Sequence, residues 1–212
     1  MSELAQASTS LSQTDSALQE SERASDTDSF HMTRGDTDSQ RDSESDAEGR
    51  QPALNRKWIT EFFKKEWKQY YRTIELNELL YFHYKGFGSI ECMDLFPDLK
   101  CLYFEGNGIT QIKGLTTNVH LRSLMLQENL VKKMEGLTTL VNLRTLNLSE
   151  NVIAKIEGLD QCVLLNSLYL KKNRIGAQGN SSLEGLLDCP SLECVELAHN
   201  LIEDPSCVIE VF

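Results

Sequence analysis

From Leu99 to Leu164 the apolar positions of the chain recur every 22 residues. The copies read LKCLYFEGNGITQIKGLTTNVH from Leu99, LRSLMLQENLVKKMEGLTTLVN from Leu121 and LRTLNLSENVIAKIEGLDQCVL from Leu143, all on the frame LxxLxLxxNxIxxIxxLxxxxx. Leucines at positions 1, 4 and 6 (Leu121, Leu124, Leu126) cannot share one side of a free strand, where side chains alternate. They can all point inward if a short strand over positions 3 to 5 is bounded by turns, with each coil burying its apolar set on the next. Position 9 is Asn107, Asn129 and Asn151, and an amide there can bond turn backbone groups that would otherwise be buried unpaired. The unit holds a strand and a short turn of helix but not a full βα crossover. The pattern predicts an α/β solenoid with short parallel strands on a concave face and 3₁₀ or short helices on a convex one.

A period of this length with this consensus is the signature of a leucine-rich repeat. A worn copy precedes the clean ones from about residue 77. Leu80, Phe82, Phe87, Ile90, Met93 and Phe96 keep the apolar frame, but Lys85 stands where Asn is expected and cannot accept a hydrogen bond. A further unit from Leu165 keeps Leu168, Leu170, Asn173 and Ile175 in register, and its successor begins five residues late, at Leu192. The extra length falls in GAQGNSS from Gly176, followed by Leu183, Leu186 and Leu187, so a longer convex helix is expected in that coil. The last unit runs through Val195, Leu197, Asn200 and Ile202 to Val208, Ile209 and Val211. Six units starting near 77, 99, 121, 143, 165 and 192 thus fill residues 77–212, with Asn107, Asn129, Asn151, Asn173 and Asn200 as a structural ladder. No polar cap is legible at Phe212, so further chain or a partner is expected over that end.

Residues 54–76 form a separate element. From Asn55 to Tyr71 apolar side chains recur at Trp58, Ile59, Phe62, Phe63, Trp67 and Tyr70, a helical spacing with Lys64, Lys65 and Lys68 toward water. The open end of a first coil needs covering, and an N-terminal capping helix meets that need. A membrane-surface or calmodulin-type helix has the same pattern. Residues 1–53 are rich in Ser, Thr, Asp, Glu and Gln with few large apolar side chains, and cannot offset ordering entropy by burial, so a disordered acidic tail is expected. The first 50 residues hold twelve Asp or Glu against four Arg and no Lys, a net of −8 of the chain's −11. Ser25, Ser39, Ser43 and Ser45 each have an acid three residues on, as acid-directed kinases prefer, although a merely solubilising tail reads the same way.

The charge excludes more than it suggests. Neither half supplies the Lys and Arg array that a nucleic-acid backbone requires, so no direct nucleic-acid binding is expected. There is no leader, long apolar run or lipidation motif, so no membrane insertion is expected and the cytoplasm is the expected location. Six cysteines without a CxxC pair fit free thiols in a reducing compartment. His83, His120 and His199 lack nearby ligand partners, and no P-loop, GxGxxG or nucleophile elbow occurs. GNGI at Gly106 is absorbed by the repeat, because its Asn belongs to the ladder. Catalysis, metal and cofactor are therefore not expected.

The expected functional surface is the concave sheet, where positions 3 and 5 face outward and positions 7 and 8 form the rim. Position 5 gives Tyr81, Tyr103, Met125, Asn147, Tyr169 and Glu196, of which the first five are the candidate contact residues. The rim adds Glu105, Glu128, Glu150 and Lys171. Tyr and Met are enriched at protein interfaces, and the three acids would favour a basic segment of a partner. Strand tyrosines can equally serve sheet stability alone.

The unit with ITQIKGL, VKKMEGL and IAKIEGL resembles the SDS22-like class of leucine-rich repeats, which includes a phosphatase regulatory subunit, a spliceosomal protein and several ciliary proteins. Within that class, LNELLYFHYKGF, LKCLYFEGNGI, LQENLV and LNLSENVI are similar to the dynein axonemal assembly factor 1 family, the leucine-rich-repeat-containing protein 50 type. The likeness runs from about Trp58 to Phe212 and includes Asp204 and Pro205. It implies a non-enzymatic cytoplasmic scaffold for preassembly of the dynein arms of cilia and flagella, with dynein subunits or assembly cochaperones as partners. It also implies further repeats, a cap and a downstream region beyond Phe212. The alternatives are a phosphatase regulatory subunit of the SDS22 type and a structural axonemal or ribonucleoprotein-associated protein.

Overall fold

The computed structural model describes residues 52–66, 68–177 and 179–203. The acidic tail up to residue 51, Trp67, Asp204, Pro205 and the closing Val208, Ile209, Val211 and Phe212 lie outside the described residues. A ten-residue helix, α1 (Arg56–Lys65), leads into six three-residue strands: β1 (Leu79–Tyr81), β2 (Cys101–Tyr103), β3 (Ser123–Met125), β4 (Thr145–Asn147), β5 (Ser167–Tyr169) and β6 (Cys194–Glu196). They form one parallel sheet in chain order, and every strand occupies positions 3 to 5 of its unit. The register does not slip: Leu80, Leu102, Leu124, Leu146, Leu168 and Val195 stack in one row.

The inward set of each coil is fully buried. In the third coil Leu121, Leu124, Leu126, Val131, Met134, Leu137 and Leu140 are all shielded from water, each such side chain contributing about 1.5–3 kcal/mol of gross burial free energy. Ridges of this kind would slide past one another if apolar contact alone held them. Registration comes from hydrogen bonds between coils. Asn151 Nδ2 donates to the carbonyls of Leu126 in the preceding coil and Leu148 in its own, at 2.9 and 3.0 Å, while its Oδ1 accepts from the Val131 N–H at 2.9 Å. Asn107, Asn129, Asn173 and Asn200 repeat this pattern on their own neighbours.

This pattern explains the worn first coil. Each ladder amide reaches back to the coil before it, and the coil holding Lys85 has none. The Phe87 N–H is met from the next coil by Asn107 Oδ1 at 3.0 Å, as the equivalent N–H is in the later coils, and the Lys85 N–H reaches the same oxygen at 3.1 Å. The same logic governs position 16, where Gly114, Gly136 and Gly158 adopt φ of 78°, 70° and 70°. A Cβ on Gly136 would run into the Ile112 carbonyl of the preceding coil. In the first coil this place belongs to Cys92, also left-handed at φ 59°, and its thiol faces the Leu54 carbonyl at 3.9 Å. Position 20, featureless in the sequence, carries a buried Asn118 in the second coil, whose amide donates to the Met93 and Phe96 carbonyls around the 3₁₀ turn Met93–Leu95.

The capping helix is shorter than its apolar spacing predicts. Asn55 caps it by accepting from the Trp58 N–H at 2.9 Å, and the helix ends at Glu66, so Tyr70 lies beyond it. Tyr70 packs at 5.6 and 5.0 Å from the Phe62 and Phe63 rings. A continuous helix would have held residues seven and eight apart about 10–12 Å from one another along its axis, so the chain turns back. Trp58 meets Phe82 and Phe87 edge-on at 5.4 and 4.9 Å, covering the end of the first coil with aromatic area. Opposite, the insertion after Gly176 closes the fifth coil with a 3₁₀ helix, Asn180–Asp188, in which Gly185 lets the backbone lie against the Ile156 carbonyl.

Two outcomes follow. Asn151→Ala orphans buried backbone groups in two coils and costs at least about 2 kcal/mol in urea unfolding, whereas Lys85→Asn, with no preceding coil to bond, changes stability by no more than about 1 kcal/mol. Burial pushes the thiols of Cys162 and Cys189 up to about 11 and about 12. The folded chain keeps those protons where the unfolded chain loses them, so the stability they contribute is complete below about pH 8.5 and declines as pH rises toward 11. Denaturant melts between pH 8 and 11 check this, with Cys162→Val flattening the decline.

Candidate functional site

The outward side chains of the strands form one continuous face. At position 5 Tyr81, Tyr103, Met125, Asn147 and Tyr169 stand in a single row fixed by the strand register, each half-buried by its neighbours. The Tyr81 and Tyr103 rings lie 4.8 Å apart, tilted by 32°. Behind them the Tyr70 hydroxyl accepts from the Tyr81 N–H at 3.1 Å, and burial pushes the Tyr70 and Tyr103 phenols up. An open groove lined by Phe62, Tyr70, Tyr81, His83 and Lys85 continues this face onto the capping helix. Asn147 differs from the other members, because its Oδ1 accepts from the Ser149 N–H at 3.0 Å and the side chain is engaged within its own turn.

The rim departs from expectation. Position 8 adopts a left-handed backbone in every coil: Tyr84, Gly106, Glu128, Glu150, Lys172 and His199 have φ from 51° to 62°. For a residue with a Cβ this conformation costs about 1–2 kcal/mol. It is compensated by sheet bonds continued past the strands, such as Glu128 N–H to the Ser149 carbonyl at 3.0 Å. The turn aims these side chains along the solenoid, so they find one another. The Tyr84 ring lies over Gly106, in the space a Cβ would fill, and its hydroxyl donates to Glu128 Oε2 at 3.1 Å, two coils away. Lys172 Nζ pairs with Glu150 Oε1 at 2.8 Å. Lys171 stands 3.7 Å from Glu196, and Glu105 stands 3.9 Å from His83 Nδ1. Of the three acids expected to await a basic partner, Glu128 and Glu150 are therefore already engaged, whereas Glu105 Oε2 has no hydrogen-bond partner among the described residues. Only the empty position at Gly106, one glycine among larger residues at that place in the repeat, hinted at the Tyr84 bridge.

The row at position 2, which sequence reasoning passed over, opens each strand at the opposite border of the sheet. Lys100 is tied to Glu78 at 2.6 Å, while Arg122 and Arg144 follow in the next coils, exposed to solvent. The aromatic centre of the face thus has Glu128 and Glu150 on one border and Arg122 and Arg144 on the other. Among the described residues no group of three or more His, Cys, Asp or Glu could hold a metal ion, and no helix is long and apolar enough to cross a membrane. In GNGI the Gly106 backbone turns the chain and the Asn107 amide is committed to Phe82, Phe104 and Phe87. It cradles nothing.

Coils of parallel strands, inward leucines and an asparagine ladder define a leucine-rich-repeat solenoid. Among solved structures the chain is similar to the internalin InlF of Listeria monocytogenes str. 4b F2365, with TM-score 0.59 and 22% identity over 72% of this chain and 46% of that one. It is also similar to internalin C2 of the same strain, with TM-score 0.50 and 22% identity over 59% of this chain and 53% of that one. The likeness is one of fold, and the chain spans about half the length of either internalin. No family model and no curated protein matches the sequence.

The rim bridge is open to titration. The Glu128 carboxylate that accepts from the Tyr84 hydroxyl, with Glu105 and Glu150 near, holds the Tyr84 phenol above its ordinary range. Replacing Glu128 by Gln removes a charge that opposes the phenolate, so the Tyr84 resonance in an NMR titration moves back toward pKa 10. An unchanged titration would break the bridge.

Proposed function

We propose that this chain is a non-enzymatic protein-interaction scaffold that binds its partner on the concave sheet. The observation that carries this is the position-5 row. Tyr81, Tyr103, Met125 and Tyr169 project from strands whose coil-to-coil bonds are made elsewhere, by backbone and ladder asparagines, and the Tyr81 and Tyr103 rings pack against each other at 4.8 Å. Such side chains present rigid, amphipathic area at low entropic cost, the composition of energetic anchors at interfaces. The engaged rim favours a partner segment that is itself amphipathic over one that is merely basic, because any cation must compete with Tyr84 and Lys172 for Glu128 and Glu150.

The finer assignment rests on the lead-in sequence. LNELLYFHYKGF forms β1 and the turn after it, including His83 and Tyr84 of the groove and rim. Its similarity to the dynein axonemal assembly factor 1 family supports a cytoplasmic factor for preassembly of axonemal dynein arms, acting toward cilium or flagellum assembly. The SDS22-like character of the repeats alone supports the phosphatase-regulatory alternative.

The test is a pull-down from ciliated-cell cytoplasm with the full chain as bait, against Tyr103→Ala/Met125→Ala/Tyr169→Ala. The triple variant keeps the melting temperature within a few degrees, since none of the three points into the core, and loses at least about tenfold in partner affinity, as removal of two or three anchors implies. Dynein chains or cochaperones lost in the variant support the assembly reading. A phosphatase catalytic subunit or a ribonucleoprotein lost in the same way moves the function to that class. Equal recovery with both baits overturns the concave site.

A further inference from the structure

The border of the sheet that carries Arg122 and Arg144 has a second periodic feature. Position 21, the last turn before each new strand, is Val119, Val141 and Val163 in three successive coils, exposed by 40, 43 and 46%, with Leu164 beside the third at 39%. Their neighbours at positions 17 and 20 are buried, so this is where the apolar content of the coil breaks the surface. The turn is also pinned, because Asn142 Nδ2 donates to the Val119 carbonyl at 2.8 Å. Three residues on from Val119 and Val141 stand Arg122 and Arg144, stacked in register through the Arg144 N–H to Arg122 carbonyl bond at 2.8 Å. Among the described residues neither guanidinium has an ion-pair partner. The forked donors of such arginines match carboxylates.

The geometry points to a docking strip for an acidic amphipathic helix of a partner protein. Parallel strands repeat at about 4.8 Å, so the three valines span about 10 Å. A helix laid along the solenoid places side chains i, i+3 or i+4 and i+7 on one face over about 10.5 Å. An extended strand, whose same-face side chains recur at about 6.8 Å, falls out of step. The apolar side of such a helix covers Val119, Val141 and Val163, and carboxylates on its flank meet Arg122 and Arg144. This strip lies on the border opposite Glu128 and Glu150, so it is independent of the concave site.

The probe is a fluorescein-labelled synthetic helix of about eighteen residues, with Leu at i, i+3, i+7 and i+10 and Glu along one flank, titrated with the full chain by fluorescence anisotropy. Binding is expected to weaken about tenfold or more in Arg122→Glu/Arg144→Glu, and comparably in Val119→Ser/Val141→Ser/Val163→Ser, both variants keeping the circular dichroism of the parent. The concave triple variant is expected to bind it as the parent does. Equal binding of a scrambled peptide, no binding of the designed helix, or loss confined to the concave variant would each overturn the strip. A concave variant that keeps every cellular partner while the arginine variant loses the peptide would sink the proposed function and leave the strip standing.

Discussion

The bond on which the rest of the molecule depends is the one a ladder asparagine makes backward. A solenoid has no distant partner to fold upon, and each coil is held only by its neighbours. Apolar burial pulls adjacent coils together but is indifferent to sliding. Asn129, Asn151 and Asn173, each buried and bonded to carbonyls at position 6 of two successive coils, fix where one coil stops against the next. The glycines at position 16 permit the same approach on the far side, where a methyl group would strike a carbonyl. Together with the backbone bonds between strands, these two contacts hold Leu80, Leu102, Leu124, Leu146 and Leu168 in one stacked row. The alignment of every outward row follows.

The first coil makes the direction of that dependence visible. It lacks both the asparagine and the glycine, and both absences fall on groups that would face a preceding coil. In place of that coil stands α1, whose Trp58, Phe62 and Phe63 close on Phe82, Phe87 and Phe96. A surface without a hydrogen-bonding repeat is sealed by aromatic area instead. The same seal turns Tyr70 toward β1 and widens the concave face at its beginning.

Function in such an architecture is a matter of rows. The centre of the face is aromatic, one border carries Glu128 and Glu150 engaged by their own neighbours, and the other carries Arg122 and Arg144 with an apolar row beside them. Because strands add in register, a single substitution changes one element of a row and leaves its spacing intact. Affinity can therefore vary by residue without disturbing the frame that presents it.

The sequence by itself determined the fold class, the six strands and the ladder, because a 22-residue period with fixed apolar positions admits only one inward set. It also placed Tyr81, Tyr103, Met125, Asn147 and Tyr169 on one face, since strand alternation is local geometry. Tertiary structure alone decided where the helix stops, because Tyr70 answers to Phe62 and Phe63 in space and not in spacing. It alone decided that Asn118 is a buried cap for a neighbouring turn. It alone engaged Glu128 and Glu150, because the left-handed turn at position 8 swings side chains from different coils into reach, and no spacing along one coil encodes a contact between Tyr84 and a residue 44 positions away.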